Sequence, residues 1–180
     1  MNTWIALLRG INVGGRNVLK MKDLAALLEG IGCIRPQTYL QSGNAVFKSA
    51  ESSAVEMGAA IESALADIRG VGARALVLGE EELRHTLASN PFPQAEESPS
   101  TVHLFFLSGP PKGPDFESLS SLKAESESFV LAGNVFYLHA PDGIGRSKLA
   151  ARVERLLGVD ATARNWRTVS KVLGMAHDLD

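Results

Sequence analysis

Thr38-Tyr39-Leu40-Gln41-Ser42-Gly43-Asn44-Ala45-Val46-Phe47 holds two β-prone segments around Ser42-Gly43-Asn44, a composition suited to a tight turn that needs positive φ. It reads as a hairpin, and its flanks decide the fold. Upstream, Met21, Leu24, Leu27, Leu28 and Ile31 recur at three- and four-residue spacing, with Gly30 and Gly32 as stop signals, which is the pattern of an amphipathic helix. Before that helix, Trp4-Ile5-Ala6-Leu7-Leu8 is a short apolar run ended by Gly10 and reads as a strand covered on both faces. Downstream, Ala54, Met57, Ile61, Ala64, Leu65 and Ile68 form a second helical stripe, stopped by Gly70 and Gly72 ahead of the strand-like run Ala75-Leu76-Val77-Leu78. The order is βαββαβ.

That order is the split βαβ, or ferredoxin-like, unit, in which two helices cover one face of a four-stranded antiparallel sheet. Beyond it, Glu80 to Ser89 reads as a connecting helix. Asn90-Pro91-Phe92-Pro93 through Ser98-Pro99-Ser100 reads as a Pro/Ser/Glu-rich joint with few regular contacts. Then follow a strand over Val102–Leu107, a short helix over Phe116–Leu122, and a hairpin of Ser128–Ala132 with Val135–Leu138 about Gly133-Asn134. Leu149, Val153, Leu156 and Leu157 mark a helix, and Trp166, Val169, Val172, Leu173 and Ala176 mark another, giving βαββαα. The expectation is an α+β protein of two related antiparallel α/β halves, residues 1–89 and 101–180, joined by 90–100. The turns at Ser42-Gly43-Asn44 and Ala132-Gly133-Asn134 fall at equivalent places and hint at a duplication.

With 180 residues, 45% hydrophobic and 21% charged, and a formal net charge of −2, the composition is that of a globular chain, far from disordered or fibrous ones. Uniform electrostatic attraction to nucleic acid or membrane is excluded. The single cysteine, Cys33, excludes an internal disulfide framework and fits a reducing compartment. Met1-Asn2-Thr3 offers no basic leader, and no apolar stretch approaches the ~18 residues that span a bilayer, so the expectation is a cytoplasmic protein with no membrane partner.

The charges are unevenly spread. Lys and Arg number six against two acids over residues 1–48, five against thirteen over 49–140, and seven against five over 141–180. Basic ends that meet in space would make a positive concavity; otherwise the surface is merely mixed and solvated. Position sharpens the case, because cations in a helix's first turn oppose its dipole. Lys20 and Lys22 open the first helix after Gly14-Gly15-Arg16-Asn17, Gly143-Ile144-Gly145-Arg146-Ser147-Lys148 leads into the helix carrying Leu149, and Arg164-Asn165-Trp166-Arg167 opens the last. On that last helix Arg164, Arg167 and Lys171 at i, i+3 and i+7 share a face. Exposed backbone N–H groups, glycine-permitted close approach and added Lys or Arg suit a phosphate or carboxylate. The bland alternative is a solvated face paired with the acidic middle segment.

Other motifs fall away. Gly10-Ile11-Asn12-Val13-Gly14-Gly15 joins strand to helix without the spacing of a Walker A loop or a dinucleotide fingerprint. His85, His103, His139 and His177 lack metal-ligand pairing, so no metal and no cofactor are expected. Cys33 has no nearby sequence cue for a base and reads as a buried or idle thiol, and Ser147 lacks a nucleophile-elbow context. Asn44-Ala45-Val46-Phe47 lacks the basic-Gly-aromatic run of RNA-recognition domains, although Tyr39 and Trp166 could each stack one ring. Trp166 reads rather as a core anchor.

Three blocks in order carry a resemblance: Leu7-Leu8-Arg9-Gly10-Ile11-Asn12-Val13-Gly14-Gly15, then Thr38-Tyr39-Leu40-Gln41-Ser42-Gly43-Asn44, then Arg164-Asn165-Trp166-Arg167-Thr168. Together with Met21, Asn90-Pro91-Phe92 and Gly145-Arg146-Ser147-Lys148-Leu149, they resemble the bacterial family called domain of unknown function 1697. The resemblance implies an α+β fold and a small soluble protein, and carries no activity. One departure is visible, since Ala163 stands where the family tends to a second threonine before Arg-Asn-Trp.

The functional expectation is a protein binding a phosphate-bearing or other anionic partner, a nucleotide or nucleic acid, in a basic groove. Its candidate residues are Arg9, Asn12, Gly14, Gly15, Arg16, Ser42, Asn44, Arg146, Lys148, Arg164, Asn165 and Lys171. The alternatives are an enzyme acting on a small phosphorylated or carboxylated substrate at the same residues, and a protein-interaction module.

Overall fold

The computed structural model describes residues 1–69 and 71–179; Gly70, one expected helix stop, and the side chain of Ile68 lie outside the described residues. The first half forms β1 (Asn2–Arg9), α1 (Met21–Gly30), β2 (Ile34–Tyr39), β3 (Asn44–Ser49), α2 (Ala54–Arg69), β4 (Arg74–Gly79) and α3 (Glu80–Ala88). Its sheet has the order β2-β3-β1-β4 with every pair antiparallel. Trp4, Ala6 and Leu8 of β1, with Ala45 and Phe47 of β3, pack against Leu24, Leu27 and Leu28 of α1 and Met57, Ile61 and Leu65 of α2. Ile5 and Leu7 point to the other face and are buried too, which is why β1 is apolar without alternation.

The second half forms α4 (Gln94–Glu97), β5 (Val102–Leu107), α5 (Phe116–Leu122), β6 (Ser128–Ala132), β7 (Val135–His139), α6 (Val153–Leu157), β8 (Ala161–Asn165) and α7 (Trp166–His177). Its sheet order, β6-β7-β5-β8, repeats the first sheet position by position, again antiparallel throughout. Phe105, Leu107, Phe136 and Leu138 pack against Leu119 of α5 and Val153 and Leu157 of α6. Phe136 stacks on Phe129 at 5.2 Å and meets Phe105 edge-on at 5.8 Å. Within the expected joint, α4 forms and Phe92 and Ala95 are buried.

Two expectations are corrected. The second half is βαββαβα and not βαββαα, because Ala161–Asn165 is a strand, held by pairing Arg164 opposite Leu104 and Ala163 opposite Phe105. Ala-Thr-Ala-Arg-Asn has no apolar run of its own, so its conformation comes from its long-range partner β5. The helix expected around Leu149 is broken into 3-10 turns at Ile144–Arg146 and Ala150–Arg152 and a five-residue α6, which Gly158 ends in the left-handed conformation. By contacts the chain divides into two compact units, Met1–His85 with Ser170–Asp180 and Thr86–Val169, so the division falls inside α7. Among the described residues no helix is long and apolar enough to cross a membrane.

Candidate functional site

In the first unit, the loop from Gly10 to Leu19 is a folded finger. Val13 and Arg16 form an antiparallel bridge, Arg16 N–H donates to Val13 O at 3.0 Å, and Asn12 N–H donates to Asn17 O at 3.1 Å. Gly14 (φ 57°) and Gly15 (φ 74°) between them supply the positive φ values that a type I′ turn needs. Asn12 itself sits at φ 53° and ties the finger down: its Nδ2 donates to Leu19 O (2.9 Å) and Gln41 O (2.7 Å), and its Oδ1 accepts from Leu19 N–H (2.8 Å). Asn17, which the sequence did not single out, is also left-handed (φ 50°) and donates from Nδ2 to Gly10 O at 2.7 Å. An asparagine each side of a Gly-Gly pair was the available signal, since Asn tolerates this region better than other side chains.

The β2–β3 turn lies against the finger. Gly43 (φ 80°) accepts from Leu8 N–H through its carbonyl at 2.7 Å, and a Cβ there would lie 2.5 Å from Ile11 Cδ1 and 2.8 Å from Leu8 Cβ. Asn44 is fully buried and donates from Nδ2 to Tyr39 O (2.7 Å) and Ser42 Oγ (3.1 Å). The structure therefore brings Asn12, Gly14, Gly15, Arg16, Ser42 and Asn44 into one corner of this unit, but Asn12 and Asn44 act there as backbone braces. Arg9 is half-buried at the end of β1, opposite Arg74, whose charge is offset by Glu62 at 3.4 Å. Gly14, Gly15 and Arg16 are exposed at the finger, and exposed Lys20 and Lys22 follow it.

The start of α1 differs chemically from those of α3 and α5. Lys20 occupies its N-cap position with no side-chain cap, and Lys22 follows in the first turn beside one acid, Asp23. By contrast α3 opens on Glu80-Glu81-Glu82, and α5 is capped by Asp115 Oδ1 accepting from Ser118 N–H at 2.9 Å.

The remaining candidates are placed differently from expectation. Arg146 ends a 3-10 turn and Lys148 sits in the next turn, both exposed, with the first α-helical residue only at Val153, so no helix dipole opposes them. Ser147 is buried and its Oγ accepts from Ala150 N–H at 2.9 Å. Arg164 lies in β8 and not on α7, so it shares no helix face with Lys171, which is exposed on α7. The Arg164 guanidinium donates to Ala163 O at 2.9 Å, and burial lowers its pKa to about 10. Asn165 Oδ1 accepts from Thr168 N–H at 2.9 Å and thereby caps α7. Trp166 is half-buried at its first turn.

A family model described as a protein of unknown function, DUF1697, matches residues 1–137. The chain belongs to the DUF1697 family. The match takes in the finger and the β2–β3 turn and ends before Arg164-Asn165-Trp166. Among solved structures, this DUF1697 protein is similar to the conserved bacterial protein SP0830 from Streptococcus pneumoniae, with TM-score 0.71 and 20% identity over 97% of this chain and 98% of that one. At that identity the likeness speaks for the fold. A search of curated proteins finds no match.

Proposed function

We propose that this protein binds a phosphate-bearing partner, a nucleotide or nucleic acid, at the basic corner of the first unit made by the finger and the start of α1. The observation that supports the reading is the N-terminus of α1, where Lys20 at the N-cap position makes no side-chain cap and Lys20 and Lys22 are exposed, as is Arg16 in the preceding finger. Uncapped helix N–H groups and their dipole attract an anion, and a bound phosphate would offset the unfavourable cations in the same turn. Asn12 and Asn44 hold the corner rigid in this reading and do not themselves touch the ligand.

The test is fluorescence anisotropy with labelled duplex and single-stranded oligonucleotides, and calorimetry with a nucleoside triphosphate, on the wild type and an Arg16→Glu, Lys20→Glu, Lys22→Glu variant. If three phosphates of a duplex are neutralised, log K falls against log salt with a slope of about −3. The variant should lose at least about tenfold in affinity for whichever probe binds, since three charges are reversed at an anion site. Unchanged affinity in a folded variant, or no binding of any probe by the wild type, would sink the proposal.

A further inference from the structure

Each sheet ends in two edge strands, whose outward N–H and C=O groups are a template for another strand unless something blocks them. In the first unit, β2 carries Pro36 and a register shift between Ile34 and Gln37, with Arg35 at φ 53°. At the other edge of that sheet, on β4, Ala75 N–H donates to Glu62 Oε1 at 2.9 Å. In the second unit, β8 is closed in the same way: Ala161 N–H donates to Glu154 Oε1 at 2.7 Å, and the Arg164 guanidinium donates to Ala163 O at 2.9 Å. The remaining edge, β6, is different. Ser128-Phe129-Val130-Leu131-Ala132 has no charge, proline, glycine or register shift, and among the described residues no side chain bonds to its backbone.

Which groups of β6 face outward follows from the hairpin. Asn134 O accepts from Leu107 N–H at 2.9 Å, so the even positions of β7 turn to β5, and Val135, Tyr137 and His139 turn to Ala132, Val130 and Ser128 of β6. The N–H and C=O of Phe129 and Leu131 therefore point away from the sheet, one residue each side of Val130. Val130 is 39% exposed, Ser128 and Ala132 are exposed with it, and Phe129 and Leu131 are half-buried at the rim of the core.

We propose that β6 pairs with β6 of a second copy of this chain, antiparallel and centred on Val130. In that register Phe129 of each copy exchanges both backbone hydrogen bonds with Leu131 of the other, so the outward groups of both residues are satisfied on both sides of the axis. Val130 meets its own equivalent as a non-hydrogen-bonded pair, where side chains approach most closely, and Ser128 stands opposite Ala132. No charge meets a like charge in this pairing. The half-buried Phe129 and Leu131 gain cover from their equivalents, and the two-fold axis closes the contact, so it ends at a dimer. This surface belongs to the second unit and is independent of the basic corner.

The strand is 5 residues long, which puts the contact at the small end of specific interfaces, so half the chains should be dimeric only near about 0.1 mM. Sedimentation equilibrium of the full-length protein between about 10 µM and 1 mM should show that association, and in ¹⁵N-labelled protein the amides of Phe129 and Leu131 should shift most with concentration. Val130→Lys and Val130→Glu each set like charges together on the axis and should weaken association at least about tenfold, with circular dichroism unchanged because the side chain is exposed. An equimolar mixture of the two variants should associate more tightly than either alone, since opposite charges then meet. A wild type that stays monomeric to about 1 mM, a dimer whose amide shifts fall outside β6, or a Val130→Lys variant that dimerises like the wild type would overturn the proposal. A mixture no tighter than its components would overturn the register centred on Val130.

Discussion

Asn12 separates a structural from a ligand-binding account of the finger, and we predict that Asn12→Ala destabilises the protein by about 3 kcal/mol while leaving the anion site's charges in place. Its amide makes three hydrogen bonds, to Leu19 N–H, Leu19 O and Gln41 O, at 2.7–2.9 Å. At a net value of about 1 kcal/mol each, with the exposed Gln41 bond replaceable by water, the loss is about 2 kcal/mol. Alanine at φ 53° adds roughly 1 kcal/mol, because its Cβ crowds the carbonyl where asparagine is better tolerated. Asn12→Gly loses the same bonds without that crowding and should cost only about 2 kcal/mol. For a chain of this size the alanine variant should lower Tm by roughly 6–12 °C. Urea unfolding read by circular dichroism and tryptophan fluorescence reports it, since Trp4 is buried in the same unit with Nε1 donating to Glu51 O at 3.1 Å. If Asn12→Ala stayed within about 0.5 kcal/mol of the wild type yet lost anion affinity, the amide would be a ligand contact and the bracing role would be refuted. If the glycine and alanine variants were equally unstable, the backbone part of the reasoning would fail.

Gly43→Ala should cost about 3 kcal/mol in the same urea assay, because the new Cβ meets Leu8 Cβ at 2.8 Å and Ile11 Cδ1 at 2.5 Å at a residue with φ 80°; a loss under about 1 kcal/mol would contradict this. His103 is buried with Nε2 unpartnered, and desolvation lowers its pKa below 6.5, opposed by the Ser100 backbone hydrogen bond. The unfolded imidazole therefore takes up a proton at a higher pH than the folded one, so stability should be full above pH 6.5 and fall as the pH drops through the folded value. His103→Gln should remove that part of the acid limb of a stability–pH curve, and an unaltered curve would refute the assignment. Cys33 is buried with Sγ 4.0 Å from Met57 Sδ, and burial pushes its thiol up to about 11; it should react with a disulfide reagent at pH 8 only as fast as the protein unfolds, and rapid labelling of the native state would count against that.

Legibility in the sequence followed the range of the interaction that decides each element. The apolar run Trp4–Leu8 and the stripes of α1 and α2 are specified by neighbours within a few residues, and each lies where its period places it; the hairpin forms, but its first strand is Ile34–Tyr39, Leu40 and Gln41 belong to the turn, and Asn44 already opens β3. β8 is the opposite case, a strand of small and polar residues whose ladder partner, β5, lies nearly sixty residues upstream, so local pattern read its end as the beginning of a helix. That single misreading moved Arg164 from a helix face to a strand and turned Asn165 from a ligand candidate into the cap of α7. At the candidate site one long-range bond had the same effect. Asn12, Ser42 and Asn44 read from the sequence as ligand candidates, but Asn12 reaches Gln41 O across 29 positions, a commitment that leaves no sign in its own neighbourhood, whereas Asn44 is bonded locally to Tyr39 O and Ser42 Oγ. What survives as a candidate is therefore the set whose exposure and charge need no distant partner to explain them, Arg16, Lys20 and Lys22 at an uncapped helix start. The glycines and asparagines around that set supply shape, and reversing the three charges while keeping the shape is the perturbation that separates the two roles.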